Sequence, residues 1–537
     1  MFAISRHAMV LVVVLLYTAS FRLAVLDRPF EYDAEGASSS QYGILARSYL
    51  RFDWNRTLGM PVLTVGQLST APIVFYPDHP PLIPLLIAPF YAAFGVGEWQ
   101  TRLPISILTI CAIYALYRLL AHAATRRAGV TAAAVFAASP MILYFGGMPD
   151  PIGTPLILFV LLSVLGYVGF HRNPRLSTLL PLLGAFGLAG LCDWPAYVMV
   201  PIFLVHFVAT RPRVEWPWIL AFAAAACGLF AGLYAYITLA TNSPWTWMLP
   251  LFARHTTLTD IPQFTLMQWF GNAIALNRML HTLALMTACG LWVAILGFRI
   301  RRSQPGATVA RLLIVWGGLC ILIGNKAAYW HEFVWMFLTP GLAVSTSLLI
   351  ESLFRVTERY RVAPVMRISM AIAGAMFAGW TAYYTFQRLY PTTRPVPFTP
   401  IEMGEAIRAA APDPGDLALV IGGDGGPGAQ MWFYGDRALR VNVWSISEVE
   451  ERLHQNWADL LFNFDVQPWD ATASGIVFPR IWDREFAHVR EYLEERYPTL
   501  PLPPALSEKF EVFSVTVRTR VRPVVGPGSP SASSTGR

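Results

Sequence analysis

Charge is what this sequence has least of: 14% of its 537 residues are Asp, Glu, Lys or Arg, where a soluble globular chain carries about a quarter. Set against 55% hydrophobic residues, that scarcity excludes water as the solvent for most of the chain. Cysteine is also scarce. Cys111, Cys192, Cys227, Cys289 and Cys320 fall within or at the end of apolar runs, with no Cys-x-x-Cys spacing, so they read as core thiols rather than a disulfide framework or a metal site. A net charge of +7 raises the question of nucleic acid, but the basic residues sit in short clusters beside apolar runs and form no continuous stripe. There is no internal repeat and no phosphate-binding loop. The run GGDGGPG, Gly422–Gly428, follows a strand pattern but contains Pro427 and lacks GxGxxG spacing, which makes it a turn. Asn55, Arg56 and Thr57 form a glycosylation sequon by residue type alone and carry no weight in the functional reading.

What the sequence does have is a series of apolar runs near the ~20 residues a helix needs to cross hydrocarbon. Crossing helices are expected over 7–26, 102–121, 128–146, 150–170, 176–192, 195–210, 217–240, 281–298, 309–324, 333–350 and 367–388, about eleven in all. The first follows Arg6 and His7, is long, and lacks a clear cleavage site, so it is expected to remain as an uncleaved helix. Residues 80–97, PPLIPLLIAPFYAAFGVG, decide the orientation of everything downstream. If they do not cross, Arg126 and Arg127, His171 to Arg175, Arg211 and Arg213, Arg299 to Arg302, and Arg355 to Arg367 all share Arg6's side, the cytoplasm by the positive-inside rule. If they cross, every one of these clusters moves outside. The Pro-rich stretch is therefore read as interfacial or re-entrant.

That choice places residues 27–101, Met148–Pro151, Cys192–Pro195, 241–280 and Asn325–Glu332 on the outer face, where polar helix ends converge. A polar site at the mouth of an otherwise apolar bundle is a functional candidate. From about Tyr390 the composition turns soluble. Helices are expected at Ile401–Ala410, Glu448–His454 and Arg484–Tyr497, and strands at Leu417–Ile421, Gly475–Phe478 and Phe510–Val517. The expected architecture is an α-helical polytopic membrane domain, 1–390, with a first outer loop at 27–101. A soluble extracytoplasmic α/β domain, 391–523, follows it, and then a disordered tail, 524–537.

The outer loop reads EYDAEGASSSQYGILARSYL and then FYPDHPPLIPLLIAPFYAAFGVGEWQTRLP. A first helix, an acidic pair, a YGILAR-like amphipathic helix, HPPL, FGVGEWQTRLP and a second helix, in that order, resemble the GT-C membrane glycosyltransferases. The likeness is nearest to the branch holding the protein O-mannosyltransferases and the lipid A aminoarabinose transferase. It runs from Met1 to about Tyr390 and is most specific between HPPL and RLP; the C-terminal domain matches only in position and kind. It implies a sugar donated by a polyprenyl-phosphate carrier to an acceptor on the outer side; the topology read from the basic clusters, with the N-terminus in the cytoplasm and the chain in the cell's inner membrane, agrees with it.

Asp33 and Glu35 stand where the family carries its first acidic motif, whose carboxylate serves as general base. Spacing from YGILAR favours Glu35, while Asp33 suits the commoner Asp-first form, and the split pair departs from an uninterrupted Asp-Glu. The plain alternative is a solvated loop carboxylate. Asp78 and His79 sit in YPDHPPL, where His79 would position acceptor or donor phosphate, or where both would simply cap a helix. Asp150, in GGMPDPIGTPL, matches the second acidic position; its alternative is a helix N-cap. Asp193 and Trp194 occupy a similar turn, with Trp194 able to stack on a sugar or to anchor at the interface. In NKAAYWHEFVWMFL, Lys326, Tyr329, His331 and Glu332 resemble the segment that approaches the donor phosphate, and Lys326 is the first choice for that contact. Lys326 and His331 could otherwise snorkel to headgroups. A leaving phosphate needs cationic donors and no nucleotide loop supplies them. Whether a divalent metal joins Asp33, Glu35 and Asp150 is open, because the family's members differ. The leading expectation is an inverting glycosyltransferase acting on a lipid, glycan or protein. The rivals are a flippase for a lipid-linked saccharide, which would show paired repeats and midplane charges, and a catalytically idle relative.

Overall fold

The computed structural model describes residues 5–66, 73–211, 215–257, 264–297, 304–359, 363–390, 397–422, 428–454 and 473–515. The expected tail at 524–537, the middle of the Gly422–Gly428 turn and the end of the 510–517 strand lie outside them. The chain divides into two compact units, Met1–Leu63 with Ile73–Thr393, and Thr64–Pro72 with Arg394–Arg537.

The first unit is all helical and crosses the membrane many times. Seven helices are long and apolar enough to span: Arg6–Ala24, Glu98–Ala123, Thr154–Arg172, Trp216–Thr241, Pro305–Ile323, Glu332–Arg359 and Pro364–Leu389. A bent pair, Leu266–Leu280 and Thr282–Ile295, turning through 109°, is apolar enough together for an eighth, broken span or a re-entrant loop. His281 fills the bend, its ring nitrogens 2.9 Å from Asn277 Oδ1 and 2.9 Å from Thr339 Oγ1. Lipid is the evident solvent of the periphery. The Pro364–Leu389 helix presents Val365, Ile368, Ile372, Met376 and Trp380 outward, and such a stripe has no place on a water-facing surface.

The remaining expected crossings are shorter. Leu176–Cys192 and Trp194–Thr210 are apolar but below 18 residues. The run at 128–146 is broken into Arg126–Ala137 and Pro140–Phe145, because Pro140 drives Ser139 into the extended region (ψ 132°) and stops the helix there. The Pro-rich stretch forms the helix Leu82–Phe94, ended by Gly95 at φ +84°. Its 13 residues reach about 20 Å at 1.5 Å each, short of the ~30 Å of hydrocarbon. It therefore does not cross alone, as expected for an interfacial element. All five cysteines are free, with Cys192, Cys289 and Cys320 buried and Cys111 and Cys227 at the exposed surface.

The second unit is a small α/β domain. Its sheet has the order β2-β1-β3-β4, with β1 (Leu417–Ile421), β2 (Ala438–Val443), β3 (Ala473–Pro479) and β4 (Phe510–Ser514). β1 runs parallel to β2 and β3, and β4 is antiparallel to β3. The helices Gly428–Gly435 and Ile446–His454 lie between β1, β2 and β3 in the chain, as parallel pairing requires a crossover. The strand β2 and the helix before it were not expected from the sequence. β1 and β4 are buried along their whole length.

Helices in the membrane approach closely through small residues. A Cβ on Gly166 would stand 2.9 Å from Leu182 Cα across the Thr154–Arg172 and Leu176–Cys192 pair, whereas one on Gly184 would meet nothing within 4 Å. Gly166→Leu is expected to destabilise the protein in detergent by about 1–3 kcal/mol, as overpacking does, with Gly184→Leu near neutral. Thermal unfolding of the two variants checks this; equal midpoints would refute the packing.

Candidate active site

Asp33 caps the helix Ala34–Arg51, its side chain accepting the Gly36 N–H at 2.6 Å. The Asp-Ala-Glu-Gly order suits this start: Asp is a strong cap, and a Cβ on residue 36 would lie 2.2 Å from the Glu31 carbonyl oxygen, so only glycine fits. Neither acidic residue is a solvated loop carboxylate. Glu35 is 3% exposed and receives both prongs of Arg102, Nε to Oε1 at 2.7 Å and Nη2 to Oε2 at 2.8 Å. The Ser39 hydroxyl adds a third bond at 2.8 Å. Asp33 Oδ2 accepts from Arg28 Nη1 and from the Tyr144 hydroxyl, each at 3.1 Å.

These settings push the two carboxyls apart. Burial and the neighbouring Glu35 carboxylate raise Asp33 above the ordinary range, outweighing Arg28. Burial opposes ionisation at Glu35 as well, but the Arg102 guanidinium overcomes it and holds that carboxyl low.

A second group joins this one through the same helix. Ser38, one turn beyond Glu35, donates to Asp150 Oδ2 at 2.8 Å, and Asp150 also accepts the Ile152 N–H at 2.9 Å. Asp150 thus stabilises its own turn and does not cap the following helix, whose N-cap is Gly153. Burial pushes its carboxyl up against the pull of His79. His79 Nδ1 lies 2.8 Å from Asp193 Oδ1. The Leu82–Phe94 helix has no side-chain cap, so the capping alternative for Asp78 and His79 has no support in the geometry. Burial works against a charged His79 imidazole, but Asp193, Asp78 and Asp150 carry its pKa up to about 8. The Trp194 indole N–H donates to the Asp78 carbonyl at 2.9 Å, and Asp78 pairs with Arg254 at 3.4 Å.

The third element is the segment after the Pro305–Ile323 helix. Lys326, 9% exposed, donates to the Ala253 carbonyl at 3.2 Å, next to Arg254. Tyr329 stacks on Phe264 with centroids 4.1 Å apart, and His331 stacks on Phe333 at 5.2 Å. Glu332 interacts electrostatically with Asp33, and His255 with His79. The residues expected from the sequence thus gather at one end of the bundle, His331 through its electrostatic interaction with His255, while Tyr329 is held by Phe264 and by Asn272, which donates to its carbonyl at 2.7 Å. Arg28, Arg102, Ser38, Ser39, Tyr144 and Arg254 were not expected. Arg102 had a signal: it is the Arg of QTRLP, an ionisable residue in a crossing helix. Among the described residues no three His, Cys, Asp or Glu side chains gather as a metal site. Asp33, Glu35 and Asp150 spend their oxygens on Arg28, Arg102, Ser38, Ser39 and backbone N–H groups, so as arranged they do not fit a divalent ion.

Residues 78–236 match the family model described as dolichyl-phosphate-mannose-protein mannosyltransferase. The chain resembles the crystal structure of ArnT from Cupriavidus metallidurans bound to undecaprenyl phosphate, at 12% identity and TM-score 0.61, over 94% of this chain and 97% of that one. It also resembles the archaeal oligosaccharyltransferase AglB from Archaeoglobus fulgidus in complex with an inhibitory peptide and a dolichol-phosphate, at 13% identity and TM-score 0.57, over 92% and 72%. No curated protein sequence matches it. The fold is the GT-C fold of membrane glycosyltransferases, with a C-terminal α/β domain.

Folding raises the His79 pKa above its ordinary 6.5, to about 8, so its pairing with Asp193 stabilises fully below about pH 6.5 and fades as the pH rises through about 8. The contribution is on the order of 2 kcal/mol. Thermal midpoints measured from pH 6 to 9 are expected to fall across that window in the wild type and to lose this component in His79→Gln; identical profiles would refute the ion pair.

Proposed function

We propose that this protein is an inverting glycosyltransferase that moves a sugar from a polyprenyl-phosphate donor to an acceptor hydroxyl on the extracytoplasmic side. The observation that carries the reading is the pairing, at one bundle end, of a buried carboxyl raised in pKa with a set of cations: Asp33 on one side, and His79, Arg254 and Lys326 on the other. The undecaprenyl phosphate and dolichol-phosphate held by the structural relatives support the donor class.

Asp33 is the proposed base. A raised carboxyl is the stronger proton acceptor, while Glu35, favoured by motif spacing, is tied to Arg102 through both oxygens and held low. Glu35 then acts as the positioning residue that fixes the helix start on which Asp33 sits. In the reaction the acceptor oxygen attacks the anomeric carbon, its proton passes to Asp33, and the bond from that carbon to the phosphate oxygen breaks on the opposite face. The departing phosphate gains charge, which protonated His79, Arg254 and Lys326 stabilise. Asp150 and Asp193 hold His79 charged, and Trp194 holds the Asp78 backbone. Tyr329, His331 and Glu332 line the approach beside Lys326. The active end faces the periplasm or its equivalent, with Arg6 and the other basic loops in the cytoplasm. The acceptor is a lipid, a glycan or a protein, and the first loop and the 241–280 loop are the segments of the membrane unit proposed to choose it.

The test is sugar release or transfer from radiolabelled polyprenyl-phosphate sugars by purified protein in lipid. Asp33→Asn is expected to lower turnover about 10²–10⁴-fold with the fold intact, the usual range for a lost general base, and Lys326→Ala to weaken use of the donor. Wild-type protein that neither transfers nor hydrolyses any donor, yet carries one across liposomes, would replace this reading with transport.

A further inference from the structure

Three helices that bring residues to the candidate active site carry a second polar cluster at their other ends. Thr154–Arg172 starts near Asp150, Met199–Thr210 follows Asp193, and Pro305–Ile323 leads into Lys326. The 19 residues of the first helix separate its two ends by about 28 Å, so the clusters lie at opposite faces of the membrane.

At this far end the His171 and His206 rings stand 5.1 Å apart. The Tyr167 hydroxyl lies 2.7 Å from His206 Nδ1, and His171 Nε2 lies 2.8 Å from Thr210 Oγ1. Arg211 interacts with His171, and Arg311 with His206. Nε and Nη2 of both Arg211 and Arg311 are shut off from solvent and have no hydrogen-bond partner. Glu215, 3.4 Å from Arg211 and acting electrostatically on His171 as well, is the one carboxylate in an ion pair with this cluster among the described residues. Arg311 sits within a crossing helix with neither an ion pair nor a hydrogen bond among the described residues. An uncompensated guanidinium there costs several kcal/mol, and a fork of N–H donors is the geometry that matches phosphate oxygens.

We propose that the Arg211 and Arg311 guanidiniums form a binding site for a phosphate-bearing anion at the membrane face opposite the active site. The chemistry fits the headgroup of an anionic phospholipid in that leaflet, or free phosphate. The site is separate from the proposed donor site, whose cations are His79, Arg254 and Lys326.

The experiment uses the full chain in neutral detergent. Its thermal midpoint is followed during addition of phosphatidylglycerol, phosphatidylcholine with the same acyl chains, or inorganic phosphate. Phosphatidylglycerol is expected to raise the midpoint by about 2–4 °C over phosphatidylcholine in the wild type and in Arg118→Gln, an exposed arginine on another helix. Arg211→Gln and Arg311→Gln are expected to lose that shift, and Arg311→Lys to keep part of it, so a variant that fails to fold leaves two others to decide. The same pattern with inorganic phosphate alone assigns the site to the free ion. An equal response to phosphatidylglycerol and phosphatidylcholine with none to phosphate, or glutamine variants that respond as the wild type does, would overturn the proposal.

Discussion

The ion pair between Arg102 and Glu35 ties together the end of the bundle that carries the candidate site. It joins the second long helix to the first outer loop through two parallel bonds of 2.7 and 2.8 Å. Arg102 Nη1 also donates to the carbonyls of Leu26 and Arg28. One guanidinium thereby fixes the end of the first crossing, the loop behind it and the start of the helix Ala34–Arg51. Two buried charges are justified only when geometry and hydrogen bonds are this complete; removing one partner of such a pair typically destabilises by about 3–5 kcal/mol. The position of Asp33 follows from it, since Asp33 caps that helix two residues before Glu35. The unlike fates of the two carboxyls follow too: Arg102 claims Glu35, while at Asp33 burial and its neighbour's charge outweigh Arg28.

From this helix the polar order spreads sideways. Ser38 reaches Asp150, and the short Leu82–Phe94 helix brings His79 to Asp193. Arg254 meets Asp78 from the short helix Met248–His255, and Lys326 binds the backbone next to it. Carboxylates and cations from separate segments of the chain thus meet at one end of the bundle. A charge buried beside lipid needs a partner, and here each partner comes from a different part of the chain, which makes the site a product of the whole bundle rather than of one motif.

Much of this was legible in the sequence, and the exceptions have physical causes. Long apolar runs give the spanning helices directly, and the basic clusters give the reading of 80–97 as non-crossing, with which the 13-residue Leu82–Phe94 helix agrees. The break at Ser139 had a signal in Pro140, but its Ala-rich, apolar flanks have the same hydropathy whether the helix is continuous or broken, so the run reads as one crossing. The strand β2 was hidden because ALRVNV is short and only partly alternating, and its place in the sheet depends on β1. In the site, residue type marked Asp33, Glu35, His79, Asp150, Asp193 and Lys326 as candidates. Sequence could not say which carboxylate Arg102 would take, because that pair bridges 67 positions, and so spacing favoured Glu35 as base where the electrostatics favour Asp33.

The most direct test of the central claim is the stereochemistry of transfer. Once a competent polyprenyl-phosphate sugar is found, the anomeric configuration of donor and initial product should be compared by NMR during a single turnover. A base that activates the acceptor for direct displacement gives a product of opposite configuration to the donor. Retention of configuration would contradict it, since it requires something other than a single direct displacement of the phosphate by the acceptor oxygen, such as a covalent intermediate.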